Sequence, residues 1–263
     1  MNRIYNLKKD VEDARDLLLF GEPAYAASLP AAFDIRDECP PVWDQGSEGS
    51  CSSHAGCACR SMLQNDAQLE LSRAFLYYQE RALEGSTDED AGSTIRDICK
   101  ATQKFGICPS EDMPYVAGEY KTPPSEKAIT DAAEYKIPAY KRILSFNIIN
   151  GVKQSLVSRR QPVLIGMTVY ESMETPEVAQ SGILPCPKPG EKVLGGHAVL
   201  IVGYKDVKPS FFRRLCGLFF GVKLSGSFIV RNSWGDGWGQ NGYFMMPYEY
   251  FCKYTYDYWM MEK

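Results

Sequence analysis

Apolar residues recur at steps of three and four from Cys51 onward. Cys51, Ala55, Ala58, Cys59 and Met62 share one helical face, and this spacing predicts a helix that begins at the cysteine. Further helices are predicted over about 72–83 and 93–105, separated by a solvated loop over 84–92 with the acidic run Asp88-Glu89-Asp90. Near residue 117 the period changes. Residues 117–127, with Gly118, Pro123 and Pro124, read as a crossing loop. Beyond them, four short apolar or β-branched runs bounded by glycine or proline predict strands at 162–169, 197–204, 227–231 and 242–246. A helical first half followed by a strand-rich second half argues for an α+β fold, not for alternating βαβ units. Residues 29–41 carry three prolines and should run extended over a surface. Residues 1–28 are charged and mixed, except for the cluster Leu17-Leu18-Leu19-Phe20, which needs a surface to bury against.

Composition narrows the class. The chain has 263 residues, 44% of them hydrophobic, enough for one large domain or two small lobes with a core. Twenty-nine basic against thirty-three acidic side chains leave a net charge of −4, which gives no reason to expect a nucleic-acid partner. No apolar run approaches the ~18 residues of a transmembrane segment. The opening residues are too charged for a signal peptide. Nine cysteines, an odd number without a CxxC pair, point to free thiols and a reduced, cytoplasmic compartment. With only two histidines, His54 and His197, the list of bases that work near neutral pH is very short.

Three segments suit one chemistry. Residues 45–51 (Gln45 to Cys51) lead into the first helix, Gly195-Gly196-His197-Ala198 places a histidine at the start of a strand, and a glycine-rich run from Asn232 follows another strand. A thiol at a helix N-terminus feels the positive end of the helix dipole, which favours thiolate. A histidine beside it forms an ion pair, and an asparagine can hold the imidazole in the useful tautomer.

These segments resemble the papain family of cysteine peptidases, from about Leu29 to the C-terminus. The pattern Gln-x5-Cys is met by Gln45 and Cys51, Gly-His-Ala by Gly196-His197-Ala198, and Asn-Ser-Trp-Gly-x-x-Trp-Gly-x-x-Gly-Tyr by Asn232 to Tyr243. The order is right, and His197 follows Cys51 by 146 positions (197 − 51). The resemblance implies that Cys51 is the nucleophile, His197 the general base and acid, and Asn232 the residue that orients His197. Gln45 would donate to the oxyanion beside the Cys51 backbone N–H. Trp234 would shield the His–Asn bond, Trp238 would wall the primed side of the cleft, and Gly92 would pair with substrate backbone. Neither a cofactor nor a metal is implied, and the partners are protein or peptide substrates. Two positions depart from plant and lysosomal members: Ser52 replaces the usual tryptophan, and Glu48 a disulfide cysteine. Bacterial-type members share such small and polar substitutions.

The fold so implied has a helical lobe over about 40–120 and a β-barrel-like lobe over about 121–263, with the cleft between them. The peptidase domain is then 29–263, and the N-terminal segment 1–28 is expected to dock near or over the cleft and restrain it, or else to pack on the back of a lobe. The reaction is peptide-bond hydrolysis through a thioester acyl-enzyme. The alternative is a catalytically silent or non-proteolytic relative, used for binding or for acyl transfer; the complete triad argues against silence. Dipeptidyl-carboxypeptidase members rely on paired histidines in an occluding loop. Both histidines here are already placed, His54 on the first helix, so endopeptidase action is expected. His197 and Asn232 lie about twice the usual family distance apart, which marks an insertion over about 205–226. Seven strand residues carry the chain roughly 23 Å from His197 before it begins, so it should sit distal to the cleft. Its aromatic and basic residues suit either packing on the sheet or contact with a partner or membrane surface.

Overall fold

The computed structural model describes residues 3–20, 29–64, 66–207 and 225–263. Three helices build the first lobe: α1 (Cys51–Leu63), α2 (Arg73–Glu84) and α3 (Ile95–Lys104). Hydroxyl caps set two of the starts, since Ser72 Oγ accepts from Phe75 N and Thr94 Oγ1 accepts from Asp97 N. All thirteen residues of α1 are buried, so this helix is the axis of the lobe and not an amphipathic cover.

The second lobe is built on strands β1 (Leu18–Phe20), β2 (Ala32–Asp34), β3 (Tyr140–Leu144), β4 (Val163–Tyr170), β5 (Val193–Asp206), β6 (Gly226–Arg231), β7 (Tyr243–Pro247) and β8 (Thr255–Met261). They pair in the order β1-β3-β8-β4-β5-β6-β7, with β2 on β5, so the barrel-like lobe is an open sheet. Period-two alternation splits its two faces between two cores. Ala198, Leu200 and Val202 of β5 join the core of the helical lobe, whereas Val199 and Ile201 join the core on the sheet's other side. A bulge against β6 between Ile201 and Gly203 reverses the parity, and Tyr204 turns to the second core.

Several expectations are corrected. His197 is not at the start of its strand: β5 begins at Val193, because Gly195 and Gly196 pair with Val169 and Thr168 of β4 instead of ending the run. β3 and β8 are not among the predicted strands, yet β8 lies between β3 and β4. Residues 29–41 are extended only through β2, after which Arg36–Glu38 form a 3-10 turn. Along the sheet edge, β1 pairs in parallel with β3, but Leu17, Leu18 and Phe20 remain 55%, 42% and 65% exposed, so the apolar cluster finds little burial there. The distal placement of the insertion's ends holds: Asp206 pairs with Gly226 at the end of the ladder remote from His197 and Asn232. Residues 208–224, the body of that insertion, lie outside the described residues. Among the described residues no helix is long and apolar enough to cross a membrane.

Candidate active site

Cys51 is the first residue of α1. The Ser50 hydroxyl before it makes no capping bond and instead meets the Tyr115 hydroxyl at 2.7 Å. No side-chain cap from Ser50 closes the helix start, and the positive end of the helix dipole bears on the thiol. His197 comes from β5 and Asn232 directly follows β6, so two neighbouring strands of one ladder deliver them together. His197 Nε2 lies 2.8 Å from Asn232 Oδ1. A carbonyl oxygen only accepts, so Nε2 carries the proton and Nδ1 is left bare in the neutral ring, the tautomer of a base. Nδ1 makes no hydrogen bond, and Cys51 Sγ accepts from Ala198 N at 3.4 Å. The thiol and the imidazole are thus neighbours without being paired.

Burial governs both groups. Cys51 is 1% and His197 0% exposed. Loss of solvent pushes the Cys51 thiol up to about 12 and the His197 imidazole down to about 4, so both are neutral in this covered state. Gln45 Nε2 donates to Glu48 O at 2.8 Å, which leaves its second N–H for another acceptor, while its Oε1 accepts from Ser233 Oγ at 2.6 Å. With Gln45 N donating to Ser233 O at 2.9 Å, the approach to α1 is tied to the loop that carries Asn232. Trp234 stacks on His197, with ring centres 5.2 Å apart and planes at 25°. Trp238 stands one layer further in, edge-on between Trp234 and Phe244. Gly92 N donates to Tyr77 Oη at 3.2 Å. Glu48, at the position of the missing disulfide cysteine, is buried and accepts from Gly118 N at 2.8 Å. His54 makes no hydrogen bond to the thiol: its Nδ1 donates to Ser50 O at 2.9 Å, and its ring meets Tyr115 edge-on.

The cover over this site is the chain's own N-terminus. Arg3 lies over the Trp234 ring at 4.1 Å and pairs with Glu174 at 2.8 Å. Tyr5 turns its ring edge-on to His197, at 5.9 Å, and donates its hydroxyl to Glu174. Asn6 Nδ2 donates to Asp90 O at 2.8 Å. Tyr5 O accepts from Gly196 N and Leu7 N donates to Gly196 O, both at 3.2 Å, and then Lys8 N donates to Ser93 O at 2.9 Å. The segment thus crosses from the β5 backbone to the backbone after Gly92. Gly49, Gly92, Gly195 and Gly196 make room for it. A Cβ on Gly92, whose φ is +65°, would run into Asn6 O, and one on Gly196 would run into Leu7 O. Asp10 N donates to Asp257 Oδ2 at 2.7 Å, and Asp16 takes two bonds from Arg96 at 2.9 and 2.7 Å. The opening Tyr5-Asn6-Leu7-Lys8 resembles that of bacterial-type members, but nothing in the sequence placed these residues, or Arg3, against the triad. The available signal was Gly49 and the pair Gly195-Gly196, whose missing Cβ atoms leave space that Asn6, Tyr5 and Leu7 fill.

The sequence model of the papain family of cysteine proteases matches residues 29–259. An uncharacterised peptidase C1-like protein of Acanthamoeba polyphaga mimivirus is 34% identical over 232 residues, covering 84% of this chain and 69% of its own length. A viral cathepsin of Cydia pomonella granulosis virus is 26% identical over 83% of this chain, which spans 57% of that relative. Among solved structures, xylellain, a cysteine protease from Xylella fastidiosa, superposes with a TM-score of 0.82 at 31% identity, covering 100% of this chain and 98% of its own.

Proposed function

The chain belongs to the papain family of cysteine proteases, and we propose that it is an endopeptidase whose own N-terminal segment restrains it. Cysteine-peptidase chemistry assigns the atoms as follows. When substrate replaces the covering segment, His197 Nδ1 takes the Cys51 thiol proton, and the resulting thiolate attacks the scissile carbonyl, whose oxygen accepts hydrogen bonds from the Gln45 side chain and the Cys51 backbone N–H. His197 gives its proton to the leaving amine and then takes one from the water that cleaves the thioester. Asn232 keeps Nε2–H engaged throughout, and Trp234 lies against the imidazole face. One observation carries this reading: the His197–Asn232 bond of 2.8 Å beside a thiol at a helix N-terminus. Endopeptidase action is supported by the burial of His54, 2% exposed within α1, which leaves the cleft without a second histidine to hold a substrate carboxylate. Cleavage of a mixed peptide library, with Cys51→Ala as control, tests both points. Internal cuts that vanish in the variant are expected; sequential loss of C-terminal dipeptides would overturn the endopeptidase assignment.

Restraint is supported by the path of residues 3–8 and by the near-complete burial of Cys51. A polypeptide substrate needs the same backbone partners, so segment and substrate compete. Full-length protein should be alkylated at Cys51 more slowly than a chain starting at Ser28, and should turn over peptides more slowly; equal rates would refute restraint. A reduced compartment is supported by the eight described cysteines, all of them free thiols.

A further inference from the structure

A small cavity lies beside Asn232, between α1 and β5. Trp43, His54, Ala198, Arg231, Asn232 and Ser233 are among the residues that line it; the Arg231 guanidinium is already held by the Pro40 and Pro41 carbonyls, and it and Arg73 are the cations that act on His54. It offers about 10 Å³ to a water molecule, room for one. Three side-chain atoms on its lining residues are buried and without a partner: Asn232 Nδ2, His54 Nε2 and Trp43 Nε1. Buried polar atoms of folded proteins are rarely left in this state, and three around one small cavity call for a common partner.

Their chemical types can be assigned from their neighbours. Asn232 Oδ1 accepts from Ser233 N at 2.9 Å and lies 2.8 Å from His197 Nε2, so the amide's other end, Nδ2, is a donor. His54 Nδ1 lies 2.9 Å from the Ser50 carbonyl, which can only accept, so Nδ1 carries the proton and Nε2 is an acceptor. Trp43 Nε1 is a donor. Two donors and one acceptor match a water, which accepts twice and donates from one O–H.

We propose that one buried water accepts from Asn232 Nδ2 and Trp43 Nε1 and donates to His54 Nε2, and that His54 is a positioning residue for the triad. Through this water His54 holds the Asn232 amide with Oδ1 on His197. Burial, which lowers the His54 imidazole to about 3, keeps Nε2 unprotonated and able to accept across the working pH range. The proposal rests on Asn232 orienting His197, but the water itself does not.

A crystal structure of the full chain tests the water directly: density within hydrogen-bond reach of all three atoms is expected, and a dry cavity would overturn the proposal whatever the activity. The role of His54 is tested in kinetics. His54→Phe removes the acceptor and fills the space; kcat should fall roughly tenfold at unchanged KM. The alkaline limb of the pH profile should move to lower pH, because a loosely held Asn232 stabilises the His197 imidazolium less. His54→Gln, which keeps an acceptor, should restore most of kcat. A fall in kcat with an unmoved pH limb and no rescue by Gln would reduce His54 to packing. Should His54→Phe fail to fold, His54→Gln and the wild-type density still decide. Loss of activity in Cys51→Ala bears only on the catalytic assignment, so the two readings fail separately.

Discussion

Two stretches of the same N-terminal segment meet opposite fates. Residues 3–10 are mostly polar or charged, yet they are held in the cleft by backbone pairing on both sides, by the Lys8–Glu84 pair and by the Trp259 indole, which donates to Asp10. Residues 17–20 are apolar, yet they lie on an open sheet edge with only Leu19 packed against the second core. Apolar content alone would have reversed the assignment. Position in the cleft is decided by unpaired backbone groups waiting on both lobes, which cost more when left buried and unmet than a few exposed methyl groups.

The largest expected effect comes from breaking the cleft half. Leu7 is 7% exposed and belongs to the core beneath the helices. Leu7→Asp would bury a carboxylate there, so the segment should leave, and peptide turnover should rise by roughly tenfold or more. A rate within twofold of wild type would show that residues 3–10 do not limit access. An intermediate effect is expected at the hinge between the halves. Arg96→Ala removes both bonds to Asp16 and should raise the rate of Cys51 alkylation about fivefold, the size of a partly buried pair. If added salt speeds alkylation of the wild type but not of the variant, the pair is the anchor.

A third measurement probes the support under the cleft half. Glu80 is fully buried and accepts from Ser52 Oγ at 2.5 Å, one residue beyond Cys51; burial raises its carboxyl to about 8. A carboxyl raised on folding contributes stability that is complete below its unfolded value, about 4.3, and is lost as pH climbs through about 8. Wild-type Tm should therefore fall by a few degrees between pH 5 and 8, and Glu80→Gln should flatten this fall. Parallel curves for the two proteins would exclude Glu80 as the source. The smallest effect belongs to the edge half. Leu18→Asp, at an exposed position, should alter stability by about 0.5 kcal/mol or less and leave turnover unchanged. A large activation there would mean that β1, not the cleft contacts, holds the segment.

Sequence by itself determined the chemistry and the helical frame. Cys51, Gln45, His197 and Asn232 were legible because each sits in a short motif: a helix start and its approach, a glycine-flanked strand position, or the residue after a strand. The helices α1 to α3 were legible because burial on a helix imposes a local period, and Ser72 and Thr94 mark two of the starts within a residue or two. Tertiary structure alone decided the rest. Whether β5 begins at Val193, where β8 inserts, and that residues 3–8 bridge Gly196 and Ser93 are matters of pairing between segments far apart in the chain. Trp238 moved behind Trp234, and His54 came to line a cavity with Asn232, for the same reason. A local pattern states which face of an element is apolar, but not which distant backbone or side chain will meet it; that choice is made when long-range burial and hydrogen bonding are satisfied together.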